Sequence, residues 1–216
     1  MIGIIDSGIG GKGIEREIKK IMTDVKIDYF ADTKNFPYGT KKVSDLHKIL
    51  SHNITHLIKQ GATIIVLACN SATVSSVDYL RRKFNIPIIG TEPAIKPACS
   101  ITKTKKIAIF STPITADSMD YLIKKYGRGI TVYKIPFKDL AYLIEAHDKP
   151  MYTSRVYNIW SKYGNKNIDT IVLGCTHYTL IRDEIQKIVG RDIKLVDSNA
   201  AVAQQVKKIY NTIRTD

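Results

Sequence analysis

Long hydrophobic runs are absent from this sequence, and no apolar stretch approaches the roughly 20 residues that a membrane helix needs. The apolar start is short and is interrupted at Asp6, so it lacks the features of a signal peptide. Of the 216 residues, 44% are hydrophobic and 25% are charged, which is the balance of an ordinary globular protein. We therefore expect a cytoplasmic protein with no membrane partner.

Cysteine is scarce as well, with three residues, Cys69, Cys99 and Cys175. An odd number of thiols in a cytosolic setting argues against a disulfide framework, and their spacing matches no metal-ligand motif. His52 and His56 are four residues apart on a predicted helix, but no third ligand lies nearby. We interpret both as surface histidines and expect no metal.

Acidic residues are few beside basic ones, since 20 Asp and Glu face 33 Lys and Arg and the net charge is +13. Such a charge is compatible with binding phosphates or acidic small molecules. The basic residues are scattered, however, and no aromatic interleaving or nucleic-acid motif accompanies them. We do not expect a nucleic-acid partner.

Short apolar segments alternate with helical patterns along the whole chain, which predicts an α/β protein with mainly parallel sheets. The predicted strands are Ile2–Asp6, Lys26–Ala31, Thr63–Ala68, Pro87–Gly90, Lys106–Phe110, Thr131–Ile135, Thr170–Gly174 and Lys194–Asp197. The main predicted helices are Val43–Gln60, Ala72–Phe84, Thr115–Tyr126, Met151–Tyr163, Leu180–Val189 and Asn199–Ile213.

An internal repeat indicates that the chain is duplicated. Residues 63–69 (TIIVLAC) match residues 170–175 (TIVLGC), with the two cysteines 106 positions apart (175 minus 69). Residues 2–7 (IGIIDS) match residues 107–112 (IAIFST) at an offset of 105 (107 minus 2). Two similar α/β domains follow, one from residues 1–93 plus 198–216 and one from residues 94–197, with an active-site cleft expected between them.

The repeat places two cysteines at ligand-binding positions. Cys69 and Cys175 each end a predicted buried strand and begin the turn into a helix. Ligands bind at the carboxyl ends of parallel strands, so the two thiols are expected to approach one cleft from opposite sides. Cys99 has no such setting and is interpreted as a packing residue.

The first turn carries the letters of a dinucleotide-binding loop, with Gly8, Gly10 and Gly13 in GxGxxG spacing. A carboxylate at the strand tip, Asp6, would repel a phosphate there. Asp6 and Ser7 suit a small zwitterion better, because one accepts from an ammonium group and the other donates to a carboxylate. The glycines would let the backbone approach such a ligand closely.

Four stretches, taken in order along nearly the whole chain, resemble the glutamate racemase family, which belongs to the broader aspartate/glutamate racemases. They are residues 5–11 (IDSGIGG), 30–40 (FADTKNFPYGT), 68–72 (ACNSA) and 173–178 (LGCTHY). The histidine after Cys-Thr is similar to glutamate racemases, whereas aspartate-type relatives tend to carry an acidic residue there.

The resemblance implies racemisation at Cα without a cofactor, by two cysteines on opposite faces of glutamate. It implies that Cys69 deprotonates the D enantiomer and Cys175 the L enantiomer. Asp6 would assist Cys69, His177 would assist Cys175, and Glu145 matches a further acidic assistant. The implied role is to supply D-glutamate for peptidoglycan synthesis.

A set of mostly neutral polar residues is expected to bind the substrate and to stabilise the charge that grows on its carboxylate. The resemblance and the positions together suggest Asp6, Ser7, Pro37, Tyr38, Gly39, Asn70, Ser71, Thr112, Thr115, Thr176 and His177.

The sequence departs from the family in three respects. The chain is shorter than is usual, Lys12 stands where an apolar residue is more common, and Thr179 replaces a common proline. Two alternatives stay open: a racemase for aspartate or another amino acid, and a catalytically silent relative that acts as a binding or regulatory protein. The resemblance also allows a homodimer.

Overall fold

The computed structural model describes the backbone of residues 1–215 and the side chains of residues 1–213. The chain divides into two compact units: Met1–Glu92 with Ser198–Asp216 forms unit 1, and Pro93–Asp197 forms unit 2. None of the described helices has both the length and the apolar content that crossing a bilayer requires.

The elements alternate as predicted. Unit 1 begins with β1 (Ile2–Asp6), α1 (Lys12–Ile21), β2 (Ile27–Ala31), α2 (Val43–Lys59), β3 (Ile64–Leu67), α3 (Asn70–Lys83) and β4 (Ile88–Gly90). Unit 2 contains α4 (Ile95–Ile101), β5 (Lys106–Ser111), α5 (Pro113–Ser118), α6 (Asp120–Tyr126), β6 (Thr131–Pro136), α7 (Leu140–Glu145), α8 (Lys149–Trp160), β7 (Thr170–Gly174), α9 (Thr176–Leu180), α10 (Arg182–Val189) and β8 (Lys194–Val196). The chain returns to unit 1 with α11 (Asn199–Thr215), and short 3-10 turns cover Thr33–Asn35, Tyr38–Thr40 and Ser161–Tyr163.

Each unit has a parallel four-stranded sheet, and the two sheets have the same connectivity. The strand orders are β2-β1-β3-β4 and β6-β5-β7-β8. Every predicted strand is present, and no end differs from its prediction by more than one residue. The α/β class and the two similar halves are thereby confirmed.

The central strands are buried on both faces, which explains their continuous apolar sequences. All residues of β1, β3 and β7 are buried. In unit 1, one face packs on a cluster from α1 and α11 that includes Ile14, Ile18, Val202 and Val206. In unit 2, helices α4, α5 and α6 cover one face of the sheet.

The predicted single helix Thr115–Tyr126 is wrong in one respect, because it is two helices that meet at Met119. The same core contains Ala116, Met119 and Leu122, which are three residues apart. A turn at Met119 that is tighter than an α-helical turn allows all three to reach it. The first of the two helices also begins earlier than predicted, since the Thr112 side chain caps it and Pro113 occupies its first position.

Asp169, just before β7, joins this strand to the loop that precedes β5. Its carboxylate accepts hydrogen bonds from Thr102 Oγ1 (2.6 Å), the Lys103 amide (2.6 Å), the Thr104 amide (2.9 Å) and Thr170 Oγ1 (2.9 Å). Burial by itself would raise the pKa of this carboxyl, but the hydrogen bonds outweigh it and lower the pKa to about 2.

The Asp169 cluster predicts a pH-dependent contribution to stability. The folded-state pKa lies below the ordinary value of 3.8, so the stabilisation is complete above about pH 5 and is lost as the pH falls towards about 2. Asp169→Asn should lower the free energy of unfolding by about 1 kcal/mol near neutral pH, and the deficit should shrink through the acid range. Urea unfolding at several pH values measures this. Asp78→Asn, on a side chain that is 80% exposed, is the control. A deficit for Asp169→Asn that does not change with pH would contradict the assignment.

Candidate active site

The turn after β1 is organised around the buried side chain of Asp6. Its Oδ1 accepts a hydrogen bond from the Gly8 amide at 2.7 Å, and the Ser7 hydroxyl lies 3.5 Å away. Both Asp6 and Ser7 are almost fully buried. The carboxylate predicted to be functional therefore also holds the glycine-rich turn in place.

Gly11 explains part of the glycine content of this turn. A Cβ atom at this position would lie 2.7 Å from Cβ of Ala68 and 3.2 Å from Cβ of Asp6. Only glycine therefore allows the turn to approach the end of β3, where Cys69 follows. The need for glycine here is therefore explained by contacts with protein atoms, without a bound nucleotide.

Lys12, the departure noted in the sequence, supports the same turn. Its ammonium lies 3.9 Å from the centroid of the Tyr29 ring, and the Tyr29 hydroxyl donates to the Gly8 carbonyl at 2.8 Å. A cation over an aromatic face is a favourable contact. The lysine thus packs on the residue that holds the glycine-rich turn.

Cys69 lies two residues after the end of β3 and directly before the first residue of α3, in an extended conformation. It is 7% exposed and retains a thiol. The two residues after it are also buried, and the Asn70 side chain donates to the Thr91 carbonyl at 2.8 Å while the Ser71 carbonyl accepts from Ser75 Oγ at 2.7 Å. The two residues that follow this thiol are therefore held by protein hydrogen bonds.

The Pro37-Tyr38-Gly39 turn is anchored by a buried carboxylate that we did not predict, Asp32. The Tyr38 hydroxyl donates to Asp32 Oδ2 at 2.6 Å, and Asn53 Nδ2 lies 2.9 Å from that oxygen and 3.2 Å from the hydroxyl. The phenol therefore anchors the turn, and substrate binding by Tyr38 stays a prediction. The sequence does hold a signal for Asn53, an amide among the apolar residues on the buried face of α2.

Tyr38 is unsuited to act as a base. Burial is the main cause that raises the pKa of its hydroxyl far above the ordinary value, and the hydrogen bond and charge of Asp32 raise it further. Charges on Cys69 and Asp6 act in the same direction. These three side chains of unit 1 thus share one electrostatic environment.

Unit 2 presents an equivalent thiol. Cys175 follows β7 in an extended conformation, precedes α9 and is 6% exposed. The next two residues, Thr176 and His177, are buried. His177 Nε2 lies 2.6 Å from Oε2 of Glu145, the last residue of α7. Glu145 and His177, which were predicted as separate assistants of Cys175, form one hydrogen-bonded pair, and this pair is an ion pair when His177 is protonated.

Thr112 and Thr115 lie on the turn after β5, the strand next to β7. Their hydroxyls are 3.0 Å apart, and Thr112 Oγ1 accepts from the Thr115 amide at 3.4 Å. Because Ser111 pairs with Gly174 across the two strands, this turn lies beside the Cys175 turn. The structure therefore places the turn with the predicted threonines next to the turn that carries Cys175, and substrate binding by Thr112 and Thr115 stays a prediction.

The third cysteine has a different setting. Cys99 is partly buried against the core formed by α4, α5 and α6, and burial raises the pKa of its thiol. It is a packing residue, as predicted. Among the described residues, no group of three or more His, Cys, Asp or Glu side chains is placed to hold a metal ion.

Comparison with known proteins gives consistent matches. A family model described as Asp/Glu/Hydantoin racemase matches residues 12–206. The chain is 35% identical to a glutamate racemase of Clostridium novyi over 215 residues, which covers 96% of this chain and 82% of that protein. It is 38% identical to a glutamate racemase of Herpetosiphon aurantiacus over 213 residues, covering 96% of this chain and 84% of that protein.

Solved structures agree with the sequence matches. Glutamate racemase of Escherichia coli, solved with L-glutamate and the activator UDP-MurNAc-ala, has a TM-score of 0.90 at 29% identity, over 96% of this chain and 80% of that chain. Glutamate racemase of Francisella tularensis, solved with D-glutamate, has a TM-score of 0.84 at 28% identity, over 99% of this chain and 81% of that chain. An aspartate racemase of Picrophilus torridus, at 20% identity and a TM-score of 0.66, over 96% of this chain and 93% of that chain, shares the fold.

The close approach at Gly11 gives a direct test of the turn. Gly11→Ala should force the glycine-rich turn away from Ala68 and lower the free energy of unfolding by about 1–3 kcal/mol, as overpacking does. Gly164→Ala is the matched control, because its backbone is helical and the nearest atom to an added Cβ is 3.8 Å away. Thermal and urea unfolding of both variants measure the effect. Equal stability of the two variants would contradict the packing argument.

Proposed function

The chain belongs to the aspartate, glutamate and hydantoin racemase family of isomerases, and from this membership we propose that it interconverts L- and D-glutamate without a cofactor. The observation that carries the proposal is the equivalent placement of two buried thiols. Cys69 and Cys175 each follow the third strand of a sheet in extended backbone and precede a helix. Relatives at 33–38% identity over 96% of the chain are glutamate racemases, which supports glutamate as the substrate.

In the proposed reaction the two thiols act on opposite faces of one substrate carbon. The Cys175 thiolate takes the α-proton of L-glutamate, so that the Cα–H bond breaks, an S–H bond forms and the electron pair stays on the substrate. The Cys69 thiol then gives its proton to the other face of Cα and becomes a thiolate. D-glutamate reacts in the reverse sense. No oxidant, reductant or further reactant is needed.

The groups beside each thiol support this chemistry in different ways. Asp6 is the last residue of β1, the strand that pairs with β3, and its carboxylate is proposed to assist Cys69. His177 beside Cys175 is held by Glu145, and a carboxylate so placed orients an imidazole and stabilises its protonated form. Neutral donors near the thiols, among them Ser7, would stabilise the negative charge that develops on the substrate carboxylate.

Several further functional statements follow as proposals from the same family membership. We propose that the D-glutamate produced is used for peptidoglycan synthesis and that the protein works in the cytoplasm. Aspartate is the rival substrate, and a catalytically silent binding protein is the rival function. Two buried thiols in equivalent places favour catalysis, because a purely binding protein has no need of either.

Isotope exchange tests the two-thiol reaction directly. L-glutamate incubated with the protein in D₂O should yield D-glutamate that carries deuterium at Cα, while the remaining L-glutamate keeps its proton at early times. This pattern arises because the proton taken by one thiol differs from the deuteron given by the other. Proton NMR combined with chiral chromatography measures it.

Variants make the test specific. Cys69→Ala and Cys175→Ala should each lower racemisation by more than about 100-fold, whereas Cys99→Ala, at the packing thiol, should leave it near the wild-type rate. Early deuterium in both enantiomers would indicate a single base and contradict the proposal. Turnover of L-aspartate but not L-glutamate would favour the rival substrate, and turnover of neither by folded protein would favour the binding function.

The hydrogen bond between His177 and Glu145 gives a further prediction. Glu145→Gln keeps a hydrogen-bond acceptor for His177 but removes the charge, so kcat/KM should fall between about 10- and 100-fold. The fall must be equal in both directions, because mirror-image substrates have an equilibrium constant of unity. Glu17→Gln, on an exposed pair with Lys20, is the control. A change no larger than that of the control would contradict a role for Glu145.

A further inference from the structure

The chain passes between the two units twice, and each passage comes just after the fourth strand of a sheet. Strand β4 ends at Gly90 and the first crossing lies between Glu92 and Pro93. Strand β8 ends at Val196 and the second crossing lies between Asp197 and Ser198. In both units, the residue that directly follows this fourth strand makes buried or partly buried hydrogen bonds.

At the second crossing, one guanidinium holds both the side chain and the backbone of the departing segment. Arg182 Nη1 donates to Asp197 Oδ2 at 2.7 Å, and Nη2 donates to the Leu195 carbonyl at 2.5 Å. Both side chains are partly buried, 39% and 23% exposed. The planar fork of arginine suits such a two-point contact, which lysine cannot make in the same geometry.

Arg182 lies on the segment that carries the unit 2 thiol. Helix α9 begins directly after Cys175, and only Ile181 separates it from α10, of which Arg182 is the first residue. This segment is packed tightly, since Tyr178 and Ile185 are fully buried. Close-packed interiors transmit displacements rather than absorb them. A displacement at the end of unit 2 is therefore expected to reach the Cys175 turn.

The first crossing is attached to the other thiol in a different way. Thr91 is fully buried, its hydroxyl donates to the Leu67 carbonyl at 2.8 Å, and its amide donates to Thr73 Oγ1 at 2.8 Å. Its carbonyl accepts from the side chain of Asn70, the residue after Cys69. The first crossing is thus bonded to the strand and helix that flank Cys69, whereas the second is bonded through Arg182 to α10, the helix after the one that follows Cys175.

We propose that Arg182 and Asp197 are a positioning pair for the reaction, which fixes the Cys175 turn relative to the point where the chain leaves unit 2. The inference rests on the proposed function. The pair touches no reacting atom, so its removal should shift the thiol rather than remove a chemical group. Misplacement of a reacting group by about 1 Å can cost up to about 100-fold in rate.

The test compares Arg182→Gln and Asp197→Asn with Glu184→Gln. Glu184 lies on α10 with Arg182, pairs with Lys149 of α8 at 3.1 Å and is 24% exposed. It therefore matches Asp197 in exposure, but its ion pair contacts α8 and not the segment that leaves unit 2. We expect kcat/KM to fall by about 10-fold or more in the first two variants and to stay near the wild-type value in the third. The double variant should be no slower than the slower single variant, and Arg182→Lys should recover only part of the rate.

Two readouts separate positioning from a general loss of stability. If the step at Cys175 becomes rate-limiting, the primary deuterium isotope effect on kcat/KM should rise for 2-deutero-L-glutamate and fall for 2-deutero-D-glutamate. Alkylation by iodoacetamide, followed by mass spectrometry, should change in rate several-fold at Cys175 and remain unchanged at Cys69. This second readout needs no turnover, so it tests the pair even if the wild-type protein fails to racemise glutamate and the proposed function falls.

Each possible outcome either supports or overturns the positioning pair. Changes at Cys175 that appear in both crossing variants and are absent from Glu184→Gln support the positioning pair. Equal changes in all three variants, or equal changes at both thiols, would show a structural role only and overturn it. Unchanged alkylation and unchanged isotope effects in folded variants would overturn it as well.

Discussion

Parallel pairing of two neighbouring strands in each unit, β1 with β3 and β5 with β7, is the constraint on which the site depends. The registers Ile5↔Leu67 and Ser111↔Gly174 make these strands end together, so that the turns that follow them lie side by side. A slip of one residue would turn every side chain to the other face of the sheet. The tight contact of Gly11 with the end of β3 favours the observed register, because it fits only one placement of the two turns.

The strands could be predicted from sequence because they are short, mainly apolar and separated by turn residues, and because the repeat shows each central strand twice. Short helices were harder. Helix α9 has five residues, Thr176–Leu180, and α7 has six, Leu140–Glu145. Isolated helices of this length are not stable in water, so tertiary packing rather than local propensity makes them. No periodicity over a few residues can indicate that packing.

The residues of the candidate site could be predicted one by one, whereas the hydrogen bonds between them became evident only from the folded structure. Glu145 and His177 are 32 residues apart in sequence but share a hydrogen bond of 2.6 Å. Asp32 and Asn53, 21 residues apart, meet at the Tyr38 hydroxyl, and neither was predicted as part of the site. The amide of Asn53 on an apolar helix face is the kind of signal that a buried polar network leaves in a sequence, because a buried amide requires partners.

The two units have the same strand connectivity, but the acidic residue near the cysteine lies in a different element in each. This difference has a physical cause. Ser111 occupies the place in β5 that Asp6 occupies in β1, because each is the last residue of its strand. Asp6 accepts from the amide two residues later, at Gly8, but the residue two after Ser111 is Pro113, which has no N–H. The Ser111 hydroxyl has no hydrogen-bond partner among the described residues. A buried carboxylate there would lack that donor too, which would be costly. Unit 2 instead takes its carboxylate from Glu145, which is less buried and reaches the Cys175 turn through His177. The duplicated backbone therefore preserves the thiols, while local donors decide which acid can stand beside each of them.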